Sequence, residues 1–248
     1  PPKTFRQSSD YVSDLFNITV TSRLYKKDVS TNTVIDPVQE SFTKDVKDPT
    51  HYLNLVTTGN KQSELFDIKS KIVELVERLT KKLKVLSDEQ LTLSEESVAN
   101  QILGEEVMQK ITQKVKPTEA SRYKSYVDDV GHITKLLLSL SNRLATTHNM
   151  LQNIEQPDPD KIFLESKRDH LSAQLDEAKQ LKENIDCRGT TISKILEKVL
   201  TIEEYADYDY FINMKAKLLI DSAEIANKIK LGEEQLSALK ETLVHSEC

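Results

Sequence analysis

Leucine, isoleucine and valine recur along most of this chain at alternating steps of three and four residues. That spacing keeps one helix face turned toward a partner helix. The cleanest run is Tyr126, Val130, Ile133, Leu137, Leu140 and Leu144, and Leu151 and Ile154 extend its register. Upstream, Leu65, Ile68, Ile72, Leu75 and Leu79 keep the same step, and Leu83, Leu86, Leu93, Ile102 and Ile111 follow with looser phasing. Downstream come Leu164, Leu171, Leu175, Ala178, Ile185, Ile192, Leu196 and Val199. A last run holds Phe211, Leu218, Ile225, Ile229, Leu236, Leu239 and Leu243.

Three breaks divide the pattern. Pro117 ends the first segment, because proline lacks the amide donor and disfavours helix in the residue before it. Gln156-Pro157-Asp158-Pro159 is a sharp stop, where Asp158 can cap the next helix and Pro159 suits its first turn. Thr201-Ile202-Glu203-Glu204 fits a capping box with Leu200 and Tyr205 at the staple positions, which marks either a new helix or a local break. From Ser121 to Ile154 the second helix would run roughly 50 Å at about 1.5 Å per residue. Such a helix cannot bury its stripe alone.

The reading is therefore all-α, with three or four long helices. A stripe about two residues in seven wide argues against a compact bundle and for a long segmented antiparallel coiled coil. A second copy of the chain is expected to complete it as a homodimer. No internal repeat supports a tandem spectrin-like array. Residues 1–62 read differently, as an extension rich in Ser, Thr, Asn and Asp and broken by Pro37, Pro49 and Gly59. There Val12, Leu15, Phe16, Ile18 and Leu24 could form one short amphipathic helix. The coiled-coil domain is placed at residues 63–248.

Composition narrows the chemistry. Of 248 residues, 30% are charged and 6% aromatic, Trp is absent and there are 5 Gly, so the loops from which enzymes build sites are scarce. The net charge of −6 mixes Lys with Glu closely, with no basic tract for nucleic acid or a membrane surface. His51, His132, His148, His170 and His245 form no i,i+4 pair with Glu or Cys, so no metal or other cofactor is expected. Cys187 has no His at helical spacing, and Cys187 with Cys248 makes no disulfide framework; a reducing, cytoplasmic setting follows. No apolar run approaches about 20 residues, so membrane insertion is not expected. The start at Pro1-Pro2 suggests a piece of a longer protein. The expectation is no enzyme.

Two stretches depart from plain coiled coil. In Leu136-Leu137-Leu138-Ser139-Leu140-Ser141-Asn142-Arg143-Leu144-Ala145, the seam holds Leu137, Leu140 and Leu144. Leu138 lies off the seam, yet shares a face with Ser141, Asn142 and Ala145. One Leu among small residues, edged by Lys135 and Arg143, lets another helix approach and offers a cation to a carboxylate. A third helix of the same chain could equally cover this strip. In Lys228-Ile229-Lys230-Leu231-Gly232-Glu233-Glu234-Gln235, Gly232 falls on the seam with Ile229 and Leu236, at about 1 kcal/mol of helix propensity relative to Ala. Close backbone approach is the usual compensation.

The same stretches carry a family resemblance. Leu136 to Ala145 resembles the LLLSLSxRLA run of the Shroom C-terminal domain, Apx/Shroom domain 2, and Arg122-Tyr123-x-x-Tyr126-Val127-x-Asp129-Val130 resembles its RYxxFVxDL lead-in. Leu103-Gly104-Glu105-Glu106-Val107, Leu181-Lys182-Glu183, Asp207-Tyr208-x-x-Phe211-x-x-Met214-Lys215-x-x-Leu218-Leu219-Ile220 and Lys228 to Gln235 follow in the family's order, over about residues 65–244. The usual DRRE is here Asp186-Cys187-Arg188-Gly189, with Gly189 expected to mark a bend, and Asn227 replaces a usual Asp.

The resemblance implies a cytoskeletal adaptor that binds the central coiled coil of Rho-associated kinase. It implies recruitment of that kinase to actin and apical cell junctions, with F-actin bound through other regions of the full-length protein, to drive actomyosin contraction and apical constriction. On the family pattern the kinase-binding surface is Leu138, Ser139, Ser141, Asn142, Arg143 and Ala145. Lys228, Lys230 and Leu231 form a second candidate surface, which either joins the docking face or closes the dimer. The competing reading is a purely structural coiled-coil spacer with no dedicated ligand.

Overall fold

Five helices appear in chain order in the computed structural model: α1 (Ser9–Val12), α2 (Lys61–Lys114), α3 (Pro117–Asn153), α4 (Pro159–Val199) and α5 (Ile202–His245). It describes residues 6, 9–12, 15, 61–154 and 159–245, and no strand occurs among them. Phe16, Ile18, Leu24, the cap at Asp158 and Cys248 lie outside the described residues. The chain divides into two compact units, one of residues 1–21 and 85–230, the other of residues 22–84 and 231–248.

The breaks have local causes. α2 stops at Lys114, and Pro117 is the first residue of α3, where its missing N–H costs nothing. The Lys116 backbone N–H donates to the Glu119 carboxylate at 3.3 Å, closing the new helix start. At the next break the Thr201 N–H donates to Glu204 Oε2 at 2.8 Å and the Glu204 N–H donates back to Thr201 Oγ1 at 3.3 Å. This is the expected capping box, and it opens a new helix. Leu200 and Tyr205 sit in one apolar cluster, as a staple requires. Glu204 also takes a hydrogen bond from Lys114, at the end of α2.

In the larger unit α3 and α4 pair antiparallel. Leu137, Leu140 and Leu144 share a core with Leu171, Leu175 and Ala178. Toward the start of α3, Asp129 accepts from Arg188 at 2.8 Å, and Tyr126 lies on Gly189. α2 and α5 pair antiparallel too: Lys114 meets Glu204, Lys110 meets Asp207 at 3.5 Å, and the Phe211 ring covers Gly104. Val107, Ile111, Tyr123, Leu196, Leu200 and Tyr208 bring all four long helices into one cluster. Tyr208 stands edge-on to Tyr123, with ring centroids 5.8 Å apart, and leans on Tyr205 at 5.7 Å.

Antiparallel pairing agrees with the sequence expectation; the narrow stripe does not. The buried face of α3 includes Gly131, Thr134, Ser141, Ala145 and Thr147 besides the seam. The hydroxyls reach backbone carbonyls of their own helix, Thr134 to Val130 at 2.7 Å, Ser141 to Leu138 at 3.0 Å and Thr147 to Arg143 at 2.9 Å. Their polarity is satisfied locally, so they pack as small apolar residues would. A count of apolar positions passes over them.

α4 continues without interruption through Gly189, where the bend was expected. Tyr126 explains the glycine, since a Cβ at residue 189 would lie 2.5 Å from its hydroxyl oxygen. In the smaller unit Gly232 is buried, and a Cβ there would meet Leu83 Cδ2 at 2.7 Å and Leu79 Cδ1 at 3.7 Å. The close approach expected at Gly232 is therefore made by α2 of the same chain.

Candidate functional site

α3 carries most of the candidate residues, and its faces have different fates. Leu137, Leu140 and Leu144 are buried against α4. Leu138, Asn142, Ala145 and Asn149 follow one line at i, i+4, i+7 and i+11. Arg6 reaches that line at Asn149 and α1 packs in the same cluster as Leu138, while Asn142 stays exposed. The Arg6 N–H donates to Asn149 Oδ1 and Asn149 Nδ2 donates to the Arg6 carbonyl, both at 2.9 Å. Val12 is buried in the α3–α4 core, and Tyr11, Leu15 and Leu138 pack against that core. Beneath, Ser141 is 0% and Ala145 4% exposed. Part of this strip, at Leu138, thus packs in the same cluster as α1 of the same chain.

Ser139, Asn142 and Arg143 are exposed. Opposite the seam a second series keeps alternating steps of four and three: His132, Leu136, Ser139, Arg143, Thr146 and Met150. Every member is exposed, including Leu136 at 43% and Met150 at 49%. No ion pair occupies the Arg143 side chain among the described residues. This is a helix face with two apolar knobs and one available guanidinium.

The second candidate surface is more dispersed. Lys228 is exposed and paired with Glu224 on its own helix at 2.7 Å. Lys230 and Leu231 are exposed, while Ile229 and Leu236 are half-buried.

Titratable groups with clear shifts cluster at the helix junction. Burial first, then Asp186 and Asp209, pushes the Tyr126 hydroxyl up to about 12. Burial also pushes the Tyr123 and Tyr208 hydroxyls up, so both stay protonated donors. Glu204 lies below the usual carboxylate range, chiefly through the hydrogen bond from Lys114 and then that from the Thr201 backbone. Among the described residues no three His, Cys, Asp or Glu side chains gather as a metal set would require. Nor is any helix among them long and apolar enough to cross a membrane.

The quoted runs meet one another in space. Gly104, of the Leu103-to-Val107 run, receives the ring of Phe211, of the Asp207-to-Ile220 run. Tyr123, of the lead-in run, meets Tyr208 edge-on. Comparison with known sequences then decides the family: the Apx/Shroom domain ASD2 matches residues 1–243. The chain belongs to the Apx/Shroom domain family.

Relatives of this Apx/Shroom domain include Protein Shroom of Drosophila melanogaster, 44% identical over 247 residues, or 100% of this chain and 15% of that protein. Protein Shroom2 of Xenopus tropicalis is 40% identical over 188 residues, 74% of this chain and 11% of the relative. Human Protein Shroom4 is 38% identical over 179 residues, 72% and 12% respectively. The chain thus spans a small fraction of each relative's length. The family match begins at residue 1 and so takes in the segment that carries α1.

Sequence reasoning missed that α1 would occupy the Leu138 strip. The available signal was Tyr11, Val12 and Leu15 as an apolar group short enough to lie across one groove. It also missed the purpose of Gly104 and Gly131, which receive Phe211 and Lys215.

Proposed function

We propose that this Apx/Shroom domain is a non-enzymatic adaptor that binds the central coiled coil of Rho-associated kinase. In the full-length protein, which would hold F-actin through other regions, it recruits the kinase to actin and apical junctions. Actomyosin contraction and apical constriction follow. The observation that carries the proposal is the exposed 4-3 series on α3 centred on Arg143. A helix from a coiled coil can seat its own ridge along Leu136, Ser139, Arg143 and Met150, because matching 3-4 spacings interdigitate. Arg143 offers a planar guanidinium to a carboxylate on that helix. In this reading Ser139, Asn142 and Arg143 touch the kinase, and Leu138, Ser141 and Ala145 shape the helix from beneath.

The domain acts as a homodimer in the same reading. Leu91, Val98 and Ile102 form an exposed apolar series on α2, at 62%, 57% and 54% exposure, and a second copy would cover it. Lys228, Lys230 and Leu231 either extend the kinase face or help close the dimer.

The test is a pull-down of the kinase coiled coil with wild-type chain and Arg143→Glu. Binding should fall roughly tenfold or more, with unchanged circular dichroism and sedimentation mass. Unaltered binding would remove Arg143 from the interface. No saturable binding by wild type would favour the spacer reading. For the second surface, Lys230→Glu separates the alternatives, since only dimer closure predicts a change in sedimentation mass.

A further inference from the structure

α1 is a single turn, and one turn does not hold itself, because its first hydrogen bond must fix several dihedrals at once. It exists through what it touches. It packs against α3. Val12 is 4% exposed in the α3–α4 core, with Tyr11 and Leu15 half-buried against the same core. Upstream, the Arg6 N–H donates to Asn149 Oδ1, and Asn149 Nδ2 donates back to the Arg6 carbonyl. Asn149 thus holds the donor and the acceptor of one backbone residue, whatever its side chain.

That hold is shallow. The paired hydrogen bonds at Arg6 lie at the surface, where water competes for both groups. Segments with few buried apolar contacts and solvent-exposed hydrogen bonds open far more readily than the whole fold. The seam beneath is continuous, with Leu137, Leu140 and Leu144 against Leu171 and Leu175. α1 can therefore leave without parting α3 from α4.

Its position gives that opening a consequence. Leu138 precedes Ser139 and Asn149 precedes Met150, so the held line and the exposed ridge stand one residue step, about 100°, apart round α3. A partner helix about 10–12 Å across overhangs such a ridge and reaches the neighbouring line. On that line Asn142 is exposed, whereas Leu138 packs in the cluster of Val12 and Asn149 holds Arg6. Leu138 is also the line's large apolar side chain, the knob an incoming helix would gain.

On the reading that the exposed α3 ridge docks the kinase coiled coil, we propose that α1 and Arg6 form a displaceable strap that restrains this docking. Closed, the strap leaves the ridge through Ser139 and Arg143. Open, it adds Leu138 to the face. A strap closed about nine-tenths of the time lowers the apparent affinity roughly tenfold.

Two variants of the full chain open the strap from opposite sides. Val12→Asp puts a carboxylate where the core holds a methyl pair, and Asn149→Ala unties Arg6. Amide exchange at Arg6 and in α1 should quicken in both, with unchanged far-ultraviolet circular dichroism. Titration with the kinase coiled coil should then show binding roughly tenfold tighter for Val12→Asp and about threefold tighter for Asn149→Ala. The coiled coil added to wild type should quicken the same amides, and Arg143→Glu added to Val12→Asp should remove the gain. Freed amides with wild-type or weaker affinity in both variants overturn the strap, while saturable wild-type binding keeps the docking reading. A gain that survives Arg143→Glu also overturns it, because the freed segment would then be binding by itself. No saturable binding by wild type or by Val12→Asp overturns the docking reading and the strap with it. If Val12→Asp loses helical signal, Asn149→Ala, which leaves the core untouched, decides by the same comparison.

Discussion

Two parts of the larger unit are held together by different means. The α3–α4 seam is aliphatic, with Leu137, Leu140 and Leu144 interleaved with Leu171, Leu175 and Ala178. The junction where four helices meet is partly aromatic, with Tyr208 in contact with both Tyr123 and Tyr205. Around it rings rest on backbone, Phe211 on Gly104 and, at the end of the α3–α4 core, Tyr126 on Gly189. Aliphatic side chains of similar size substitute for one another at modest cost. A ring seated on a glycine leaves no room for even one methyl. The seam therefore fixes pairing, whereas the junction fixes which residue stands opposite which.

The largest expected effect is at the seam. Leu137→Ala removes a fully buried side chain and should cost about 3–4 kcal/mol in urea unfolding. Leu140→Met, in the same seam, should cost less than about 1.5 kcal/mol. A loss as large as that of Leu137→Ala would break the view that the seam is tolerant of shape.

Glycine substitutions sharpen the other side of the comparison. Ala normally adds about 1 kcal/mol of helix stability over Gly. At Gly104 the new methyl meets the rigid, buried Phe211 ring, so Gly104→Ala should destabilise by about 1–2 kcal/mol. At Gly232 it meets the flexible end of Leu83, so Gly232→Ala should be neutral within about 0.5 kcal/mol or stabilising. Equal losses at both glycines would mean that the ring is not what sets the cost.

Smaller effects follow at the rim of the junction. Thr201→Ala removes the cap of α5 and should cost about 1 kcal/mol. The Tyr126 hydroxyl titrates near 12 when folded and near its ordinary value of 10 when unfolded. Its stabilising contribution is complete below pH 10 and is lost as pH rises from there toward 12. Tyr126→Phe should flatten that part of an alkaline unfolding curve. Glu204 has the opposite sign: its depressed value contributes above the ordinary carboxylate range and is lost in acid.

Pairing was legible in the sequence because a 3-4 step of Leu, Ile and Val has few other physical meanings. The breaks at Pro117 and Thr201 were legible for the same reason, since proline and a capping box act locally. The junction was not, because nothing in the sequence says which ring or side chain stands opposite Gly104, Gly131 or Gly189. The candidate site was half legible. Arg143 and Ser139 stand exposed as a docking face needs, but Ser141 and Ala145 are buried, and Leu138 packs in the cluster that holds Val12 of α1. Spacing within one helix identifies a face; it does not say which segment, distant in sequence, will cover it.

The tyrosine junction has a practical consequence. The protein contains no tryptophan, so its near-ultraviolet signals come from eight tyrosines and six phenylalanines. Tyr123, Tyr205 and Tyr208 are the coupled set, held at fixed tilts of 62° and 52°. Rings locked in a chiral arrangement dominate near-ultraviolet circular dichroism, whereas exposed tyrosines average toward zero. The molecule thus carries its own optical reporter at the point where its four long helices converge, readable without a label while far-ultraviolet signal follows the helices themselves.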